Sequence, residues 1–139
     1  MNSLKNAESF FHNCESGKGW DACKAYVAEN ATFTAQSEPL VDVTQVKDYV
    51  DWMAGLCNVT MPGCGYKIHA SALDESNNTA VFFATFTGTH SGDGGPVPAT
   101  NKTTNSDYVY ALKMNSEGKL ESMTKIWNAS WALREVGWM

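Results

Sequence analysis

Two pairs of strand-like segments, each joined by a short polar turn, constrain the fold of this chain more than any other feature. The segments are 66–73, 79–90, 103–114 and 119–128. The turns between them are Asp74-Glu-Ser-Asn-Asn78 and Asn115-Ser-Glu-Gly118. Because a polar turn between two such segments favours a hairpin, the C-terminal half predicts an antiparallel meander of four long strands.

The N-terminal half has a different pattern, in which apolar residues recur at helical spacing. This spacing predicts helices over 3–16, 20–28 and 44–57, with one strand over 31–36. A last helical turn is predicted over 130–136. Helices followed by antiparallel strands are typical of an α+β domain. The natural packing lays the helices on one face of a curved sheet, which makes a cone with an internal pocket at its mouth.

Length and charge exclude several classes of protein. The 139 residues fit one domain spanning 1–139. A net charge of −5 without a basic stripe argues against nucleic acid and anionic membranes as partners. No apolar run reaches the roughly 18–20 residues that span a bilayer. The first residues lack the apolar core of a signal peptide, so a cytoplasmic location is expected.

The four cysteines do not suggest a metal site. They are Cys14, Cys23, Cys57 and Cys64, with separations of 9, 34 and 7 residues. No Cys-x-x-Cys pair occurs among them, so no metal is expected and free thiols are predicted.

Two stretches resemble a known family. Residues 86–102 contain Gly-Thr-His-Ser-Gly, then a loop with prolines, then Thr-Asn-Lys. Near the C-terminus, Gly-Lys-Leu at 118–120 is followed by Ile-Trp-Asn at 126–128 and Ala-Leu-Arg-Glu-Val-Gly at 132–137. These motifs, and the order of the elements, resemble the SnoaL-like polyketide cyclases of the NTF2-like superfamily. The resemblance implies the NTF2-like cone and a small-molecule pocket inside it.

The resemblance also implies a chemistry, intramolecular aldol condensation without a cofactor. The cyclases carry an acid–base aspartate at the position where this chain has Asn128. An asparagine cannot exchange protons, although its amide can hydrogen-bond an enolate or carbonyl oxygen. The alternative for Asn128 is a structural amide that ties the end of the strand to the next turn.

Two titratable residues remain as catalytic candidates beside Asn128. His90 ends a strand at a glycine-rich loop, and an imidazole can act as acid or base near neutral pH. Its alternative is a histidine bonded to the loop backbone. Asp107 lies within a strand and can face either a cavity or solvent.

Aromatic and aliphatic residues give candidate walls for binding an apolar ligand. Phe33, Trp52 and Phe83 are predicted to line the pocket, with a role in the core as the alternative for each. Alternation along the last strand predicts that Thr124, Ile126 and Asn128 face the inside of the cone. Trp127 then points to the other face and is a candidate contact in a homodimer, because family members often pair through their sheets.

Three functions therefore stay open at this point. The chain can be a cyclase or isomerase for a polyketide-like or other small apolar substrate, with no cofactor. It can instead be a non-catalytic binder of a small apolar ligand. The third reading is a dimerisation module with a vestigial cavity.

Overall fold

The computed structural model describes residues 2–139 and has four helices and five strands. The helices are α1 (Ser3–Glu15), α2 (Trp20–Cys23), α3 (Val46–Gly55) and α4 (Ala129–Glu135). The strands are β1 (Val27–Ala35), β2 (Gly65–Asp74), β3 (Thr79–Thr89), β4 (Thr103–Met114) and β5 (Leu120–Trp127). The sheet is curved and unclosed, and the α+β prediction is confirmed.

The strand order is β1-β5-β4-β3-β2. The four C-terminal strands pair antiparallel with their neighbours, as the two hairpin turns predict. β1 differs, because it joins the edge of the sheet parallel to β5. β5 is therefore the strand of the meander that pairs with the N-terminal strand, which brings the two halves of the chain together.

The alternation of side chains gives the sheet an inner and an outer face. On β3 the buried residues are Ala80, Phe82, Ala84, Phe86 and Gly88. Helix α1 packs on this inner face through Phe11, whose ring lies 4.8 Å from Phe82 and 5.0 Å from Tyr110 between centroids. The inner face and the helices together enclose the apolar core.

The prediction for residues 20–35 was wrong in one respect. The second helix ends at Cys23 and is followed by a single 3₁₀ turn over Lys24–Tyr26, so β1 begins at Val27 and not at residue 31. Pairing with β5 extends the strand, and its register shifts between Val27 and Thr32. Asn30 has a φ of 59° inside this irregular stretch, which local periodicity does not indicate.

The loop after β3 is held against the end of α3 by a close backbone contact. Helix α3 continues into a π-helical turn over Leu56–Thr60, and the Gly92 amide donates to the Thr60 carbonyl at 3.0 Å. A Cβ atom on Gly92 would lie 1.8 Å from the Val59 carbonyl oxygen, so only glycine fits here.

Substituting Gly92→Ala is expected to destabilise the protein by at least about 2 kcal/mol, because backbone must shift to admit the methyl group. The matched control is Gly55→Ala in α3, where nothing lies within 4 Å of the added atom. That change is expected to stabilise by about 0.5–1 kcal/mol, because alanine favours the helix. Urea unfolding measures both, and equal stabilities for the two variants would contradict the contact.

Candidate functional site

A small cavity lies between the inner face of the sheet and helices α3 and α4. Its volume is about 50 Å³. Aromatic and aliphatic side chains make most of its wall, and its polar members are Glu15, Thr104, Ser106, Tyr108 and Lys125. The cavity is therefore apolar but holds two ionisable groups of opposite charge.

Lys125 enters the cavity because it lies on the inner face of β5, two residues before Trp127. Its side chain is only 7% exposed. The Nζ atom lies 4.4 Å from the Trp127 ring centroid. Four further rings stand 5.2 to 5.9 Å away, those of Tyr49, Trp52, Tyr108 and Tyr110. These π faces attract an ammonium ion and replace part of the hydration that burial removes.

Glu15, the last residue of α1, carries the charge opposite to that of Lys125 and is 2% exposed. Both carboxylate oxygens accept hydrogen bonds, Oε2 from the Tyr108 hydroxyl and Oε1 from the Tyr110 hydroxyl. Bonds to two hydroxyl donors stabilise the charged form of a buried carboxylate.

A chain of hydrogen bonds connects Lys125 to Glu15 through two tyrosines. Lys125 Nζ donates to the Tyr49 hydroxyl oxygen at 3.1 Å. The Tyr110 hydroxyl donates its only proton to Glu15, so in the hydrogen bond between the two tyrosines Tyr49 donates and Tyr110 accepts. All three donors therefore point from Lys125 towards Glu15. Moving each proton one place along this chain carries a proton from the ammonium to the carboxylate.

Burial moves the pKa values of both ends towards neutrality. Desolvation lowers the pKa of Lys125 from 10.5 to about 8, and the nearby Glu15 carboxylate opposes this change. Desolvation raises the pKa of Glu15, while Lys125 and the tyrosine hydroxyls oppose that change. Burial also raises the pKa of Tyr49 and Tyr110 well above the usual range, so both stay protonated. Lys125 can therefore change charge near physiological pH.

A shallow open groove of about 780 Å³ adjoins this cavity. It runs between the end of β1, the following loop and α4. Pro39, Trp127 and Leu133 line both spaces and so form the wall between them. A ligand larger than the cavity has to reach Lys125 past these three side chains.

The structure buries His90 between the loop after β3 and the C-terminal tail. It is 0% exposed. Its Nδ1 accepts from the Trp138 indole N–H at 2.8 Å, so Nε2 carries the proton and donates to the Gly94 carbonyl at 2.9 Å. The imidazole links the loop to the C-terminal tail through both of its nitrogens, so neither nitrogen is free to bond to a ligand.

Asp107, Phe83 and Ile126 lie on the outer face of the sheet. The Asp107 carboxylate accepts from the Thr85 hydroxyl at 2.6 Å in an exposed cross-strand pair. Phe83 is 40% and Ile126 62% exposed. The face predicted for β5 was wrong, because Lys125 and Trp127 point inwards while Thr124 and Ile126 point outwards. Neither Phe83 nor Ile126 reaches the cavity.

Asn128 and two of the predicted wall residues lie near the site. The Asn128 Oδ1 accepts from the Trp131 amide at 3.2 Å and caps α4, while the residue also lines the groove. Trp52 lines the cavity. Phe33 lines the groove and stacks on Tyr49 at 4.5 Å. Asn128, His90 and Asp107 are thus not brought together.

Sequence reasoning missed the five polar residues that are brought together, Glu15, Tyr49, Tyr108, Tyr110 and Lys125. One usable signal was present, a lysine placed between Met123 and Trp127 at strand spacing. The partners come from α1, α3, β4 and β5, so no local pattern connects them.

Comparison with known proteins identifies the family. Residues 7–123 match the SnoaL-like domain. The chain belongs to the SnoaL-like family, as the motifs indicated. No curated protein sequence gives a significant match.

Solved structures show the same fold at low identity. A proposed SnoaL-like polyketide cyclase from Jannaschia sp. CCS1 superposes with a TM-score of 0.78 at 13% identity, covering 96% of this chain and 90% of its own. IdmH, a proposed polyketide cyclase from Streptomyces antibioticus, gives 0.74 at 12%, covering 99% of each chain. The BvnE pinacolase from Penicillium brevicompactum gives 0.71 at 12%, covering 95% and 89%.

Across residues 2–139, no three His, Cys, Asp or Glu side chains lie close enough to hold a metal ion. In the same range, none of the helices combines the length and the apolar character that crossing a bilayer requires.

The shifted pKa of Lys125 predicts how stability depends on pH. Between about pH 8 and pH 10 the unfolded chain keeps the Lys125 proton and the folded protein has released it, so folded stability rises with pH. Relative to Lys125→Met, wild type is expected to gain roughly 2 kcal/mol between about pH 7.5 and pH 9.5. Urea unfolding across this range is the measurement. The exposed Lys113→Met is the control and should follow wild type; parallel curves for wild type and Lys125→Met would exclude the shift.

Proposed function

We propose that this protein is a cofactor-free enzyme of the cyclase or isomerase type, acting on a small and largely apolar carbonyl compound. The observation that carries the proposal is the directed hydrogen-bond chain from Lys125 to Glu15. Both end residues line an apolar cavity. Solved structures of similar fold include proposed polyketide cyclases and a pinacolase, which supports a reaction on a carbonyl or hydroxyl compound.

Lys125 supplies the acid–base group in this proposal. Its neutral amine removes a proton next to the substrate carbonyl, and the resulting ammonium returns a proton to carbon or oxygen. The two tyrosines and Glu15 take up or supply the proton that Lys125 exchanges. The aromatic rings around Nζ exclude water and keep the pKa of Lys125 near the working pH.

Ser106 and Asn128 have separate parts in substrate recognition. The Ser106 hydroxyl lines the cavity, is buried, and has no hydrogen-bond partner among residues 2–139. A buried hydroxyl without a partner is stabilised by a ligand oxygen that bonds to it. Asn128 lies in the groove, where its amide can contact the part of a substrate that stays outside the cavity. His90 and Asp107 take no part in proton transfer.

A second candidate is a non-catalytic binder of a small apolar ligand. The observation in its favour is the size of the cavity, since about 50 Å³ leaves little room for a reacting substrate. A substrate then requires movement of Trp127 or Leu133, whereas a very small ligand does not.

Exchange of acetone hydrogens into heavy water, followed by proton NMR, separates the two functions. Acetone is the smallest ketone, so it tests proton transfer with the least demand on space. Wild type is expected to accelerate exchange, more strongly as pH rises through about 8 and Lys125 becomes neutral. Lys125→Met should reduce the rate at least tenfold, and Lys113→Met should not. Acetone binding without acceleration would identify a binder and refute the enzyme.

We propose further that the protein forms a homodimer through the outer face of its sheet. Phe83, Val109 and Ile126 lie opposite one another on three adjacent strands, since Phe83 pairs with Val109 and Val109 with Ile126. Phe83 and Ile126 are exposed, and the His69 ring lies 5.0 Å from the Phe83 ring. A contiguous apolar patch on a sheet is the kind of surface that a second copy covers.

Light scattering at micromolar concentration tests the dimer. Wild type is expected at twice the chain mass of 15.2 kDa, and Ile126→Glu at the single mass, because a charge in the apolar patch opposes pairing. Val59→Glu changes an exposed valine away from this face and should leave the mass unchanged. A monomeric wild type would defeat the proposal.

The location proposed for the protein is the cytoplasm. All four cysteines are free thiols in the structure, three of them buried. Unpaired cysteines are usual in a reducing compartment.

A further inference from the structure

We propose that Lys125 is also a covalent catalyst, whose amine forms an imine with the carbonyl carbon of an aldehyde or ketone substrate. This inference rests on the proposed function and deepens it, because it names the reacting atom and the functional group of the substrate. The imine inference is argued from the geometry of the cavity, and acid–base catalysis by Lys125 does not require an imine.

Lys125 differs from every other lysine of the chain in its surroundings. The other eight are exposed at the surface, at positions 5, 18, 24, 47, 67, 102, 113 and 119. Lys125 alone lies inside, with Nζ at the wall of a cavity. Its one hydrogen bond among residues 2–139 goes to the Tyr49 hydroxyl oxygen, and five aromatic rings stand 4.4 to 5.9 Å from Nζ. The lone pair of the neutral amine is available to an electrophile, since in the part of the chain that the structure describes no cation and no hydrogen-bond donor other than Tyr49 faces Nζ.

The charge state supports the same reading. A lysine amine is nucleophilic only when neutral, and an apolar site favours that form. The pKa of about 8 puts a useful fraction of neutral amine within the physiological range.

The covalent step balances with groups that the cavity provides. The Nζ lone pair attacks the carbonyl carbon, the C=O π electrons move to oxygen, and a proton passes from nitrogen to that oxygen to give a carbinolamine. The C–O bond then breaks, a second proton reaches the departing oxygen, and water leaves as the C=N bond forms. When Lys125 becomes neutral, its proton passes along Tyr49 and Tyr110 to Glu15. The same chain returns that proton to the departing oxygen and recovers it on hydrolysis. No oxidant or reductant takes part, and hydrolysis regenerates the amine.

An imine strengthens the proton transfer that the fold needs for cyclase or isomerase chemistry. The iminium ion withdraws electrons more strongly than the carbonyl it replaces, so the neighbouring C–H bond becomes more acidic. The Tyr49 hydroxyl oxygen takes that proton as the enamine forms, while Tyr49 and Tyr110 each pass their own proton on towards Glu15. Ser106, four residues from Tyr110, the β4 partner of Lys125, then suits a second oxygen on the substrate. The substrate class is an aldehyde or ketone that carries another oxygen function on an apolar body.

Borohydride trapping tests the inference on the wild-type protein. Acetone and sodium borohydride are added together, and hydride reduction of an iminium leaves a stable secondary amine. The expected product is one adduct per chain, heavier by the mass of acetone minus one oxygen atom. Peptide mapping is expected to locate it on Lys125, with a yield that rises as pH increases through about 8.

Two variants complete the design. Lys125→Arg keeps a cation in the aromatic surroundings but has no amine that can form an imine, so the adduct should be lost. Lys113→Arg is the matched control on an exposed lysine and should keep it. Urea unfolding checks that each variant is folded. If Lys125→Arg does not fold, peptide mapping of the wild-type adduct still tests the inference, because it needs no variant.

The outcomes separate this inference from the proposed function. An adduct on Lys125 supports it, whereas adducts confined to exposed lysines, or none at all, overturn it. Accelerated acetone exchange without an adduct on Lys125 would leave acid–base catalysis standing and refute the imine. An adduct on Lys125 without accelerated exchange would support the nucleophile and refute the proton-transfer function.

Discussion

The burial of a lysine and a glutamate at the two ends of a pair of tyrosine hydroxyls governs the interior of this protein. Either charge alone in the core would cost several kcal/mol. Here the hydroxyls bond to both ends, and aromatic rings surround the ammonium. The four hydrogen-bonded residues are Glu15 on α1, Tyr49 on α3, Tyr110 on β4 and Lys125 on β5. Their hydrogen bonds can all form only when these two helices and two strands are correctly packed against one another.

The same arrangement depends on strand register. Lys125 and Ile126 are adjacent in sequence, yet one lies in the catalytic candidate site and the other in the outer apolar patch. A slip of β5 by one residue would bury Ile126 and push Lys125 into solvent. Pairing of Tyr110 with Lys125 and of Val109 with Ile126 holds the correct register on both faces together.

The sequence predicts the helices and the meander because their signals are local, as with the turn Asp74–Asn78 and the apolar face of α1. The face of β5 was not predictable in this way. Met123, Lys125 and Trp127 form one alternating set, while Thr124, Ile126 and Asn128 form the other, and each mixes apolar with polar residues. The resemblance to the cyclases placed Asn128 in the pocket, and alternation then placed Thr124 and Ile126 on the same inner face. The partner that overrides it, Glu15, is distant in sequence.

The parallel pairing of β1 with β5 also affects how the protein assembles during synthesis. Residues 27–35 leave the ribosome long before 120–127, and in the sheet β1 has β5 as its neighbouring strand. Contacts between segments so far apart form slowly, because a long loop must close first. Helices α1 to α3 and the first hairpin can therefore fold during translation, whereas the edge of the sheet and the Lys125 cavity are completed only after β5 and α4 are made.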